Sequence, residues 1–246
     1  PLSANGSARA TYTAPADAAA SVPLTVTLAN GATQQYWIRP RDLVVPQAGE
    51  ITLDGDLSDW PAGGEIPANA LRVEGPIENF SPSFKVAWSG KGLYVASTIP
   101  VGENFKAPER PEDFWEWTSV ELSILAAPED QRDPARQHLF WFVPQQENGT
   151  WRVYSGEWQK TMPDGSKQTL KDDKRFASAM KYDGQNVIME VLIPNDVLGG
   201  APSAGAMWPM TVHAKKAVAL SPRTLGVWPG GRGGAFAGWG RLRFAE

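Results

Sequence analysis

The chain has 246 residues, 23 of them basic and 27 acidic, for a formal net charge of −4 at pH 7, and 42 % of it is hydrophobic. That content supports a real core and excludes a disordered chain, while so small a negative charge excludes phosphate-driven nucleic-acid binding. With no cysteine, a disulfide framework, a thiol nucleophile and a thiolate metal site are excluded too.

No apolar run approaches the ~20 residues that a membrane-crossing helix needs, so the membrane is not expected as a partner. The chain opens Pro1-Leu2-Ser3-Ala4 without an initiator Met. It reads as a mature form or a cut fragment, with any signal peptide out of view. The 24 glycines and 21 prolines are spread along the chain, which fits many short strands joined by turns.

Residues 1–48 differ from the rest. Ala10 to Pro15 and Leu24 to Leu28 alternate as strands do, Asn30-Gly31 is a hairpin turn, and Gln35 to Ile38 returns as a strand. This predicts a short N-terminal β appendage, or the tail of an immunoglobulin-like domain, leaning on its neighbour because three strands bury little. From residue 49 to 246 the pattern is that of one larger unit. Ile51 to Leu57 reads as a strand ending in an Asp-Gly turn. Phe84 to Trp88 and Leu93 to Ile99 make a hairpin about Ser89 to Gly92. Further strands follow at Val120 to Ile124, His138 to Val143, Trp151 to Tyr154, Val187 to Ile193, Met210 to Val218 and Arg241 to Phe244. Only Asn195 to Leu198 hints at a helical turn. Strand after strand with turns between predicts an all-β, antiparallel β-sandwich.

Eleven tryptophans are more than such a core needs. Trp115 and Trp117 flank Glu116, Trp158 lies in a polar stretch, and Trp228 sits in a Gly/Pro-rich run. Indole at such places is a flat platform, and sugar rings offer flat C–H faces that stack on it while their hydroxyls seek polar partners.

Several pieces, taken in order, resemble carbohydrate-binding module family 9. Ile51-Thr52-Leu53-Asp54-Gly55-Asp56-Leu57-Ser58-Asp59-Trp60 is similar to the family's opening. Phe84 to Trp88 with Gly92-Leu93-Tyr94-Val95 is similar to its first hairpin. Trp117-Thr118-Ser119-Val120-Glu121-Leu122 resembles its "D-S-V-E" strand, with Thr118 in place of the acid. Glu190-Val191-Leu192-Ile193-Pro194 and Trp239-Gly240-Arg241-Leu242-Arg243-Phe244 resemble its later strands.

The resemblance implies a sugar-binding β-sandwich without catalysis of its own. It also implies an accessory role to a glycoside hydrolase in polysaccharide degradation, a secreted, periplasmic or cell-surface location, and structural calcium. Its partners would be an oligo- or polysaccharide and a covalently linked catalytic domain. Two tryptophans would sandwich a terminal sugar. The first maps to Trp115 or Trp117, the second to Trp228, with Glu121 matching the motif glutamate and Arg232 or Arg223 orienting hydroxyls. An arginine expected on the next strand has no counterpart, since His138 to Val143 is nearly all apolar.

Asp54, Asp56 and Asp59 surround a glycine with hard oxygen donors of the kind Ca²⁺ takes, alternatively solvated acids of a hairpin. Glu112, Asp113, Glu116 and Glu121 read as an acidic loop plus one strand acid, with no hydrophobic pocket to tune a catalytic pair. His138 and His213 are the only histidines. They read as strand residues with satisfied rings, and a haem-binding electron-transfer domain of the same fold is the alternative. A purely structural module is the third reading.

Overall fold

The structure, a computed structural model, describes residues 22–27, 30–38, 41–66, 68, 71–75, 77, 79–128, 130–217, 223–229 and 239–245. These contain sixteen strands: β1 (Val22–Thr27), β2 (Thr33–Ile38), β3 (Asp42–Val45), β4 (Glu65–Ile66), β5 (Arg72–Glu74), β6 (Ser83–Ser89), β7 (Gly92–Pro100), β8 (Ser119–Leu125), β9 (Gln137–Glu147), β10 (Thr150–Thr161), β11 (Lys167–Lys171), β12 (Ala177–Tyr182), β13 (Asn186–Pro194), β14 (Met207–Ala217), β15 (Arg223–Trp228) and β16 (Gly240–Phe244). One short helix, α1 (Asn195–Leu198), follows β13.

The larger sheet runs β11-β10-β9-β8-β14-β15-β5. β14 is long enough to take two partners in tandem on one side. Met207 to Met210 pair with β16, and Val212 to Ala217 pair with β15. β3 lies parallel beside β16. The smaller sheet runs β12-β13-β7-β6-β4. The remaining described pairs in both sheets are antiparallel, so the expected all-β sandwich is the fold found.

Strand periodicity builds the core. Alternate residues of β6, β7 and β13 (Phe84, Val86; Leu93, Val95; Met189, Val191) meet alternate residues of β8, β9 and β14 (Val120, Leu122; Phe140, Phe142; Met210, Val212) in one apolar cluster. The other face of the smaller sheet is also covered. Ala87, Tyr94 and Ala96 pack under Ile51 and Trp60 of the preceding loop.

That loop corrects an expectation. Ile51 to Leu57 alternates as a strand does, yet it forms no strand. Its backbone N–H groups go to carboxylates instead of a neighbouring strand. Glu190 of β13 accepts from Asp54 N (3.0 Å), Gly55 N (2.5 Å) and the Trp60 indole (2.7 Å), and Asp59 accepts from Thr52 N (2.7 Å). A side-chain acceptor that captures an N–H removes it from a ladder.

The N-terminal boundary shifts as well. β1 and β2 form a separate two-stranded sheet, with Asn30 Oδ1 accepting from Ala32 N in the expected turn. The strand expected at Ala10 to Pro15 lies outside the described residues. β3, however, pairs with β16 and puts Leu43 and Val45 into the main core. The sandwich therefore begins before the expected boundary at residue 48.

At one end of the sandwich a buried polar chain replaces apolar packing. Glu157 and His138 are both buried. Glu157 meets the His138 ring at Nδ1 (2.7 Å) and accepts from Arg175 (2.7 Å), which also grips Asp173. Burial opposes ionisation of Glu157, but hydrogen bonds from His138 and Arg175 outweigh it and hold its carboxyl below the ordinary value of 4.5. Glu190 goes the other way. Burial pushes its carboxyl above 4.5, partly offset by the Trp60, Gly55 and Asp54 hydrogen bonds.

These shifts have opposite signs in stability. The Glu157 contribution is present above pH ~4.5 and is lost as pH falls through its lower folded value. The Glu190 contribution is present below ~4.5 and is lost as pH rises through its higher folded value. Urea unfolding between pH 3 and 6 should therefore show a smaller acid loss in Glu157→Gln than in wild type. In Glu190→Gln the acid loss should be steeper. Parallel pH profiles for all three proteins would overturn both assignments.

Candidate functional site

The outer face of the larger sheet carries the side chains that alternation keeps out of the core. Register places Glu121 of β8 between Trp141 of β9 and His213 of β14, and Trp141 opposite Gly156 of β10. Gly156 is required by close approach. A Cβ there would lie 2.1 Å from Trp141 Cζ2, so the indole rests directly on the strand. Phe114 stacks on the other side of Trp141, with centroids 4.9 Å apart and planes 6° apart, an arrangement worth about 0.5–1.5 kcal/mol beyond burial. Ser119 Oγ donates to the Phe114 carbonyl (2.9 Å) and fixes the loop that delivers it.

On this base stand two exposed tryptophans. Trp115 packs edge-on against Phe114 (5.2 Å, 74°) and against Trp158 (6.0 Å, 78°). They are 37 % and 39 % exposed. Beside Trp158 is a depression of about 340 Å³ rimmed by Ser123, Gln137, Gln159 and Lys167. A register shift between Glu157 and Lys160 marks a bulge in β10, with Gln159 at φ 47°. Bulges of this kind re-aim side chains at the rims of sheets.

Under the shelf, Glu121 is ion-paired to Lys215, whose Nζ lies 5.3 Å from the Phe114 centroid. His213 Nδ1 is 3.8 Å from Glu121 Oε2. The arrangement offers two flat indole surfaces at right angles, a polar rim and a half-buried charge pair. It can stack a ring and bind its hydroxyls.

Of the residues expected at the site, Trp115 and Glu121 are brought to this face. Trp117 is not on the shelf. Half-buried, it packs against the Phe114–Trp141–Val143 cluster and forms a wall of a separate groove. Trp228 corrects the sequence reading outright. It lies in β15 opposite Val212, 3 % exposed, inside the main core. Gly240 makes this possible, since a Cβ there would meet the Trp228 ring at 2.4 Å. Arg223 opens β15, and Arg232 lies outside the described residues. Trp158 was visible as an indole in a polar stretch, but its pairing with Trp115 was not. Phe114 and Trp141 gave no signal beyond being apolar.

The three aspartates act on their own loop. Asp54 Oδ1 accepts from Asp56 N, Asp56 Oδ1 from Ser58 N, and Asp59 Oδ2 from Thr52 N. Among the described residues no three His, Asp or Glu side chains converge as a metal site requires. The two histidines lie on opposite faces of the sheet. His138 is registered with Ile124 and His213 with Glu121, three residues apart on β8, so they cannot sandwich one haem.

Two solved structures of a carbohydrate-binding module family 9 from Caldicellulosiruptor kristjanssonii are similar to this fold. One, in complex with cellotriose, is 15 % identical with a TM-score of 0.55, over 83 % of this chain and 93 % of that chain. The other, in complex with glucose, is 15 % identical with a TM-score of 0.54, over 82 % and 95 %. The fold of the chain is thus that of this class of sugar-binding sandwich. No protein-family model and no curated protein matches the sequence. Among the described residues no helix is long and apolar enough to cross a membrane.

The burial of Trp228 turns it into a stability residue. Trp228→Ala should lower the unfolding free energy by about 3–5 kcal/mol, as large-to-small core changes do. Gly156→Ala should cost about 1–3 kcal/mol by driving a methyl into Trp141. Denaturant titration with tryptophan fluorescence checks both. A Trp228→Ala protein as stable as wild type would place that side chain outside the core.

Proposed function

We propose that this chain binds carbohydrate without acting on it. It would be an accessory module of a secreted polysaccharide-active glycoside hydrolase, with the Trp115–Trp158 shelf as its sugar platform. The observation that carries the reading is the pair of exposed indoles, rigidly backed by Phe114 and Trp141 and edged by amide and hydroxyl groups. A contiguous exposed aromatic surface rimmed by polar groups is of the kind that marks an interaction site. The fold adds support, because the similar module structures hold cellotriose and glucose.

The acids nearby favour binding over hydrolysis. Glu121 is neutralised by Lys215, and Glu112 and Asp113 both face Arg110. A glycosidase needs a raised general acid and a second carboxylate across a bound sugar. In this reading Glu121 and Lys215 hold the base of the site, Trp115 and Trp158 take the ring faces, and Gln137 and Gln159 take hydroxyls. Arg223 and Arg232 are not needed for it. Calcium at Asp54, Asp56 and Asp59 is not needed for it either, because those residues lie away from the shelf, in the loop over the smaller sheet.

Isothermal titration with cellotriose and glucose tests the reading. Trp158→Ala and Trp115→Ala should each weaken binding by about 1–3 kcal/mol, the usual cost of removing a central aromatic anchor. Thermal melts should change far less than in Trp228→Ala, since both rings are partly exposed while Trp228 is 3 % exposed. A wild-type protein that binds no glycan would leave a structural module as the better reading. A Soret band in the purified protein would favour the haem alternative.

A further inference from the structure

Strand alternation sends two neighbouring lysines to opposite sides of the sheet. Lys215 follows the outer face with Glu121 and His213 and is neutralised there. Lys216 follows the inner row of Met210, Val212 and Ala214, but at the strand end it leaves the core and reaches a groove. The loop before β8 divides in the same way. Trp115 goes to the shelf, and Trp117 walls the groove.

The groove has a volume of about 610 Å³, within the ~300–1,000 Å³ range of small-ligand sites. Phe105, Pro108 and Trp117 give it flat apolar surfaces, while Lys106, Lys216 and Asn104 bring N–H donors. Its described lining holds no carboxylate, and neither lysine is ion-paired to a described residue. Thr118 Oγ1 already accepts from Ala217 N (3.2 Å), which leaves its hydroxyl proton to donate. Among the described residues, two ammonium groups thus stand uncompensated around one aromatic-walled groove. Ammonium groups placed so favour an anionic oxygen group, bound through charge-assisted hydrogen bonds.

We infer that this groove is a second site that takes an acidic saccharide, a sugar carrying a carboxylate or a sulfate ester. Trp117 and Phe105 flank the ring, and Lys106 and Lys216 hold the anion. The choice of a sugar rests on the carbohydrate reading above, and the anion rests on the lysines alone.

The test compares wild type with Lys106→Gln/Lys216→Gln. Trigalacturonate, a sulfated disaccharide, cellotriose and inorganic sulfate are titrated separately, at low and high salt. The double variant should lose roughly tenfold or more in affinity for the carboxylated or the sulfated probe, whichever wild type binds. Wild-type affinity for that probe should fall with added salt. Cellotriose binding at the shelf and the melting temperature should not change. Acidic-probe binding equal in the two proteins, or absent from wild type, would overturn the inference. Inorganic sulfate binding as tightly as the saccharide probe would overturn its sugar part. Loss of cellotriose binding in wild type with lysine-dependent binding of the acidic probe would overturn the shelf and leave the groove standing.

Discussion

Where β8 and β9 run, the larger sheet is covered on both faces, and this constraint orders the side chains near the candidate site. On β8, Val120, Leu122 and Ile124 enter the core, so Ser119, Glu121 and Ser123 must face outward. On β9, Phe140 and Phe142 enter, so Leu139, Trp141 and Val143 face outward. A slip of one residue would exchange the two sets completely. The core therefore fixes the register of Glu121, Trp141 and Lys215 with the full weight of its burial, while the bond from Ser119 to the Phe114 carbonyl places the loop that carries Trp115. The split of Lys215 from Lys216 is a consequence of that register.

Covering the outer face has an electrostatic cost that the structure contains. Glu121 and Lys215 sit under Phe114, largely removed from water. A desolvated ion pair adds little to stability compared with apolar packing, yet removing one partner costs several kcal/mol because the other is stranded. Glu121 is thereby committed to Lys215. That pairing makes it a fixed acceptor and a fixed charge beneath Phe114. The Phe114–Trp141 stack over Gly156 supplies rigidity of another kind. Indoles mounted on a packed aromatic base lose little freedom when a ligand stacks on them, which favours affinity.

Much of the fold was legible in the sequence where period-2 alternation met an unambiguous turn. The hairpin of β6 and β7 and the turn at Asn148-Gly149, both residues at positive φ, are of this kind. What failed did so for long-range reasons. Ile51 to Leu57 has a strand pattern, but a carboxylate from β13 takes its N–H groups. Trp228 has loop-like Gly/Pro neighbours, but the space that buries it is made by Gly240 of another strand. Of the site, an indole out of strand context at Trp115 was readable. Its union with Trp158 depends on a bulge in β10 and on a base of Phe114 and Trp141, and none of these leaves a local trace.

The residues that carry the family resemblance explain why fold and site differ in legibility. Two of the similar motifs, Ile51 to Trp60 and Glu190 to Pro194, meet in space. Glu190 binds the Trp60 indole and the backbone of Asp54 and Gly55. A fully buried carboxylate with three donors is tolerated only if all three are kept, since an unpaired buried charge is costly. That interlock closes the outer face of the smaller sheet over Tyr94 and Ala96, away from the shelf. Residues bound by such a requirement are held by the fold itself. Trp158, Lys106 and Lys216 stand outside those motifs and outside the buried core. The same scaffold can therefore carry a different surface in the loop before β8, at the bulge of β10 and at the end of β14.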